Sequence, residues 1–245
     1  MTDVFDDLAA EYRQLDAVLD PLTADQWSRP SAAAGWTVSD AVLHLTQSEE
    51  VINSPFINAG EPRLAAAEAT MDGLAAEMVA AERGMSPADV LARWRKAAFA
   101  TPGTLRACPP GTRLSWVRTS LSPKTLATTR IAEHWAHAQD ITVPLGLPYP
   151  DTARLRHVAW LAHRTLPYAF ALAGIADAPV FCELTAPDGI TRWTFGDPAA
   201  PARITGSAAE FCRVGARRLT PEQTGLIAEG AHAADALRVV RNYAA

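Results

Sequence analysis

The chain has 245 residues, a formal net charge of −5 and 49% hydrophobic residues, which is enough apolar material for one large domain or two smaller ones. This composition excludes wholesale disorder, and a net negative chain without a basic block argues against nucleic acid as a partner. No apolar run reaches the roughly 18 residues that a membrane-spanning helix needs.

Apolar residues at helical spacing dominate the first 150 residues. Thr37 is a typical N-cap ahead of one helix, and the Ser86-Pro87 pair is a typical start of another. A stretch rich in Pro and Gly predicts a loop over 101–112. The pattern predicts helices over about residues 4–19, 38–52, 63–83, from Pro87 to Ala98, and 123–141.

The pattern changes after residue 150. A helix is predicted over 152–174, followed by a β-hairpin around Asp188-Gly189, a strand over 202–207 and two short helices towards the end. We therefore predict an α+β protein. Its predicted parts are an N-terminal four-helix bundle (1–150), a linking helix (151–175) and a small α+β C-terminal domain (176–245).

The segment EHWAHAQD within the last bundle helix carries the most chemistry. Glu133 and His137 are four residues apart and share a helix face, and Asp140 lies on that face one turn further on. A glutamate and a histidine at this spacing can bind one divalent metal, with a third ligand from a facing helix. A surface ion pair is the alternative interpretation of the Glu133–His137 pair.

His44 is the best candidate for the third ligand, because it is the only histidine before residue 134 and lies beside the apolar stripe of a predicted helix. Two histidines and one carboxylate suit zinc with an open position, and they also suit iron or nickel. Asp140 could then accept a hydrogen bond from a ligating imidazole.

Two segments together resemble a known family. GWTVSDAVLHL (35–45) and the later pattern R-x-x-E-x-x-x-H-x-x-D resemble the DinB-like metalloprotein superfamily, and within it the mycothiol-dependent maleylpyruvate isomerase branch. The resemblance implies a DinB-like bundle with His44, Glu133 and His137 as metal ligands. The additional histidine next to Glu133, His134, departs from the motif and could be an alternative ligand or a pocket residue. Because His134 points about 100° around the helix from Glu133, we predict that it is not a primary ligand.

The expected function is a metal-dependent enzyme, most simply a zinc enzyme, that uses a low-molecular-weight thiol such as mycothiol for cis–trans isomerisation or S-transfer on a small electrophile. The alternatives are a thiol-independent hydrolase, lyase or cyclase, and a non-catalytic metal-binding or ligand-binding protein. Three widely spaced cysteines (Cys108, Cys182, Cys212) and an acidic N-terminus without a secretory signal predict a cytoplasmic protein. Its expected partner is a small molecule, without nucleic acid or membrane.

Overall fold

The computed structural model describes residues 3–58, 71–116 and 119–242. The chain divides into two compact units, of which the first ends at Tyr149 and the second begins at Pro150. The first is helical and the second contains a sheet with helices, so the predicted α+β class is confirmed. The assignment of metal binding to the first part of the chain stays a prediction.

Helices α1 (Val4–Leu19), α3 (Val38–Ile52), α5 (Pro87–Arg106) and α6 (Pro123–Leu145) build the first unit. Helices α1 and α3 each pack against both α5 and α6. This is the predicted four-helix bundle, and its interior is filled by large buried side chains such as Tyr12 and Trp94. Further helices of this unit are α2 (Ala24–Ser28) and α4 (Met71–Glu82). A hairpin of β1 (Leu114–Trp116) and β2 (Thr119–Leu121) precedes α6. Residues 63–70 of one predicted helix lie outside the described residues.

The predicted helix starts are confirmed at the two helices that matter most for the site. Thr37 accepts a hydrogen bond from the Asp40 backbone N–H, and the Asp40 carboxylate accepts one from the Thr37 N–H. This capping box fixes the first turn of α3. Ser122 caps α6 in the same way through the Thr125 N–H, with Pro123 at the first helical position.

The predicted loop over 101–112 was wrong in its first half, because α5 continues through Pro102 to Arg106. A proline inside a helix costs roughly 3 kcal/mol. Thr101, Pro102 and Leu105 are all buried, and their burial in the bundle offsets this cost. Similarly, α6 runs past its predicted end at 141 and stops only at Gly146, which adopts φ 66° as a left-handed cap.

The second unit is built around a four-stranded sheet with the order β4-β3-β5-β6. The predicted hairpin and third strand are confirmed, with β3 antiparallel to β4 and parallel to β5, whereas β6 was missed. The predicted helix over 152–174 consists of two helices that meet at Thr165. The elements are α7 (Leu155–Arg164), α8 (Leu166–Leu172), β3 (Val180–Thr185), β4 (Arg192–Phe195), β5 (Ala202–Ser207), α9 (Ala208–Gly215), β6 (Ile227–Glu229) and α10 (Ala233–Val239).

Among the described residues, no helix combines the length and the apolar character that crossing a membrane requires.

Candidate metal centre

Three side chains from two bundle helices meet at one point. His44 on α3 places its Nε2 3.0 Å from Oε1 of Glu133 on α6, and His137, one turn further along α6, places its Nε2 3.5 Å from the same oxygen. The candidate ligand atoms of the three residues all lie within 4.8 Å of one another. The structure therefore brings together all three residues that the sequence predicted as metal ligands.

These three residues keep one side open. The exposed fractions of the His44, Glu133 and His137 side chains are 16%, 29% and 13%. Two imidazole nitrogens and one carboxylate oxygen converging on one point fit a zinc ion, and this donor set leaves a coordination position for a further ligand. The partial exposure gives a small molecule access to that position.

Asp140 lies where a residue that orients His137 should lie. Its Oδ2 is 3.0 Å from Nδ1 of His137, and its carboxylate is almost completely buried. With Nδ1 directed to Asp140, Nε2 of His137 is left to face Glu133 and His44. Metal-binding histidines commonly use their second nitrogen in this way, which fixes the tautomer and the ring orientation.

Trp36 forms an aromatic wall beside the two imidazoles. Its ring centre lies 6.0 Å from that of His137 in a stacked arrangement and 5.1 Å from that of His44. The loop that carries Trp36 is fixed to α6, because the Ala32 backbone N–H donates to the Asp140 carbonyl at 2.9 Å. The Trp36 side chain is half-buried, so it lines the candidate site and is not part of the closed core.

The charges of the three residues are coupled. Burial lowers the pKa of His44. Burial would also lower the pKa of His137, but the neighbouring Asp140 and Glu133 carboxylates outweigh it and raise the pKa. Burial would raise the pKa of Glu133, but the two imidazoles and the nearby charge of Arg130 hold it well below its usual range.

His134 lies in the core of the bundle. Its Nε2 accepts a hydrogen bond from the Trp94 indole N–H at 3.3 Å, so Nδ1 carries the proton and donates to the Arg130 carbonyl at 3.0 Å. The side chain is fully buried, and burial together with the Arg130 charge lowers its pKa well below the usual value. Both nitrogens are thus engaged by the protein.

A buried ion pair that the sequence analysis missed lies beside the candidate site. Arg130 Nε donates to Glu49 Oε1 at 2.7 Å, and Thr101 donates to the other carboxylate oxygen at 2.6 Å. Glu49 and Arg130 side chains are 0% and 2% exposed. A signal was present in the sequence, because Glu49 falls on the apolar stripe of α3 between Leu45 and Ile52.

A known protein family and two curated proteins are similar to this chain in sequence. The family model described as the mycothiol maleylpyruvate isomerase N-terminal domain matches residues 8–142. Uncharacterized proteins from two strains of Mycobacterium tuberculosis, CDC 1551 and H37Rv, are each 37% identical over 214 residues, which cover 84% of this chain and 81% of the relative.

Two solved structures have a similar fold. The crystal structure of a mycothiol-dependent maleylpyruvate isomerase matches with a TM-score of 0.61 and 16% identity, and the match covers 94% of this chain and 96% of that one. A mutant of a mycothiol-dependent maleylpyruvate isomerase matches with a TM-score of 0.58 and 15% identity, over 88% and 92% of the two chains. At these identities the likeness concerns the fold.

Proposed function

Because this chain belongs to the family of the mycothiol maleylpyruvate isomerase N-terminal domain, we propose that it is a metal-dependent enzyme that uses a low-molecular-weight thiol of the mycothiol kind. The observation that carries the metal half of this proposal is the convergence of His44, Glu133 and His137. The thiol half of the proposal rests on the membership of this family.

In this proposal the three residues hold a divalent cation, most simply Zn²⁺, which when bound favours the thiolate form of a coordinated thiol. Asp140 keeps the His137 imidazole in the orientation that directs Nε2 to the site. Trp36 closes one side and limits the water that reaches the two imidazoles. The protein's own cysteines are not needed as nucleophiles, since burial raises the pKa of the Cys182 thiol to about 12 and also raises that of Cys212.

The proposed reaction is covalent catalysis by the bound thiol on a small electrophilic substrate. For a conjugated double bond, the sulfur adds to one alkene carbon and the electron pair moves to the conjugated acceptor. The former double bond rotates as a single bond, and loss of the same thiolate restores the double bond in the trans geometry. If the sulfur remains bonded and another group leaves, the same site performs S-transfer.

The test combines metal analysis of the purified full-length protein with a screen of small electrophiles, run with and without mycothiol. We expect close to one divalent metal per chain in the wild type and turnover only when the thiol is present. His44→Ala should lose both, while His163→Ala should keep both, because His163 bonds to the Val180 carbonyl in the second unit.

Each other result contradicts part of the proposal. Turnover that is independent of thiol would identify a hydrolase, lyase or cyclase that uses the same metal. Bound metal without turnover of any thiol-reactive electrophile would favour a non-catalytic binding protein. A wild-type protein that binds no divalent metal would reject the metal-dependent function.

A further inference from the structure

Arg130 has a feature that its ion pair with Glu49 does not explain. Its Nη2 lies in the protein interior and has no hydrogen-bond partner among the described residues, although Nε is bonded to Glu49. An unpaired buried donor costs roughly 1–3 kcal/mol. Nε is thus paired, whereas Nη2 is a donor that the described residues do not use.

The position of Arg130 on α6 points to Glu133 as the group that its unpaired nitrogen could contact. Arg130 lies three residues before Glu133 on α6, so their side chains are neighbours on the helix surface. Glu49 holds the guanidinium from α3, and the ring of Trp116 lies 5.3 Å from the guanidinium carbon.

We infer that Arg130 is a positioning residue for the Glu133 carboxylate in the cation-bound protein, and that Glu49 and Trp116 hold its guanidinium in place. The inference rests on the proposed metal site. In the structure Glu133 Oε1 is shared by two imidazoles. A cation bound by these groups would take up the imidazole lone pairs, so neither imidazole could hold Glu133 by a hydrogen bond. The carboxylate would then need another donor to keep its orientation. Carboxylates that bind metals are generally held by such outer hydrogen bonds.

Two other roles for Arg130 predict different results. If Arg130 acted only as a positive charge near the cation, its removal would strengthen cation binding. If it served only the core, its removal would lower stability and leave the affinity of the folded protein unchanged. A positioning role predicts weaker binding, by about 10- to 100-fold. Repulsion should be the smaller effect, because Glu49 lies 2.7 Å from Arg130 and compensates its charge.

The experiment measures the Zn²⁺ dissociation constant of the full-length protein by competition with a chromogenic chelator. The variants are Arg130→Met, Arg130→Lys and the double variant Glu49→Gln/Arg130→Met, which removes both charges and leaves neither one buried alone. Arg93→Met is the matched control, because it breaks the ion pairs with Glu50 and Glu82 in the same unit without touching the candidate site.

We expect about 10- to 100-fold weaker Zn²⁺ binding in Arg130→Met and in the double variant. Arg130→Lys should recover part of the affinity, because lysine keeps the charge but lacks the planar fork. Arg93→Met should bind like the wild type. Thermal unfolding of each metal-free protein shows which variants are folded, and Arg130→Lys provides the comparison if neither methionine variant folds.

Wild-type affinity in a folded variant without the Arg130 guanidinium would overturn the inference, and tighter binding would replace it with simple charge repulsion. Both results would leave the proposed metal site intact. Failure of the wild-type protein to bind Zn²⁺ would reject the metal site and the inference together.

Discussion

Two neighbouring groups of polar residues share helix α6, and they differ in how their histidines are bonded. His134 belongs to a core group with Trp94, Glu49 and Arg130, in which both of its ring nitrogens have protein partners. His137, three residues later, belongs to the candidate metal centre, where two imidazoles converge on one carboxylate oxygen. The presence of a histidine in a helix is therefore a weak predictor of a metal ligand, and the surroundings of its two ring nitrogens are more informative.

The largest effect that separates the two groups should be on metal binding. His44→Ala, Glu133→Ala and His137→Ala should each weaken Zn²⁺ binding by more than about 100-fold, since each removes a direct ligand and not an outer partner. His134→Gln should retain metal, because that side chain is directed into the core. Metal content after dialysis, measured by mass spectrometry, tests both statements.

Full metal occupancy in Glu133→Ala would break this distinction, and so would a structure with a His134 nitrogen within about 2.0–2.1 Å of the metal. His163→Ala is the control for the loss of a structural histidine.

The second effect is on stability, and here substitutions in the core group should have a larger effect than substitutions in the candidate metal centre. Glu49→Ala leaves Arg130 buried without its partner, which should destabilise the metal-free protein by roughly 3–5 kcal/mol. Glu133→Ala removes a carboxylate that is 29% exposed and leaves no unpaired charge fully buried, so it should cost less than Glu49→Ala. Urea unfolding of the metal-free proteins gives both values, and an equal loss in the two variants would contradict the division into two groups.

A smaller effect is expected at the boundary of the metal centre. Asp140→Asn keeps the shape of the side chain but loses the charge next to His137 Nδ1. We expect Zn²⁺ binding about 10- to 100-fold weaker than in the wild type. Asp151→Asn is a suitable comparison, because Asp151 pairs with Arg213 in the second unit. Unchanged affinity in Asp140→Asn would show that His137 keeps its orientation without the carboxylate.

The smallest effect concerns pH and has opposite signs at the two histidines of α6. The pKa of buried His134 is well below that of the unfolded chain, so its contribution to stability is present above about pH 6.5 and decreases as pH falls below that value. The pKa of His137 is raised, so its contribution is complete below about pH 6.5 and is lost as pH rises through the raised pKa.

Glutamine variants of the metal-free protein isolate the contribution of each histidine to the pH dependence of stability. The stability difference between wild type and His134→Gln should shrink on acidification below pH 6.5, by at most about 1.4 kcal/mol per pH unit. The difference for His137→Gln should be largest at acidic pH and shrink as the solution becomes more alkaline. Denaturation series between pH 5 and pH 8 measure both, and parallel trends would show that the two histidines share one environment.

Much of the bundle and the candidate ligand set could be predicted because both depend on local rules. Thr37 and Ser122 are recognisable caps, and the spacing of Glu133 and His137 fixes a shared helix face. The ion pair of Glu49 and Arg130 could not be derived in this way, because it joins α3 to α6 and depends on the register of two packed helices.

The errors have the same physical origin. Pro102 reads as a helix breaker, and only its burial in the assembled bundle reverses that reading. The short strand β6 is recognisable only through its pairing with β5. Local preference was overruled wherever a partner distant in sequence supplied the stabilisation.

The placement of Trp36 makes it an intrinsic fluorescent probe of the candidate metal centre. Its indole ring lies within about 6 Å of both imidazoles of the candidate centre, and indole emission responds to whether neighbouring imidazoles carry a proton or a cation. One fluorophore among seven tryptophans should thus brighten or dim as the centre fills, and the Trp36→Phe protein supplies the background spectrum. Cobalt(II), an open-shell ion that quenches indole emission at short range, would make occupancy visible in a cuvette without label, chelator or substrate.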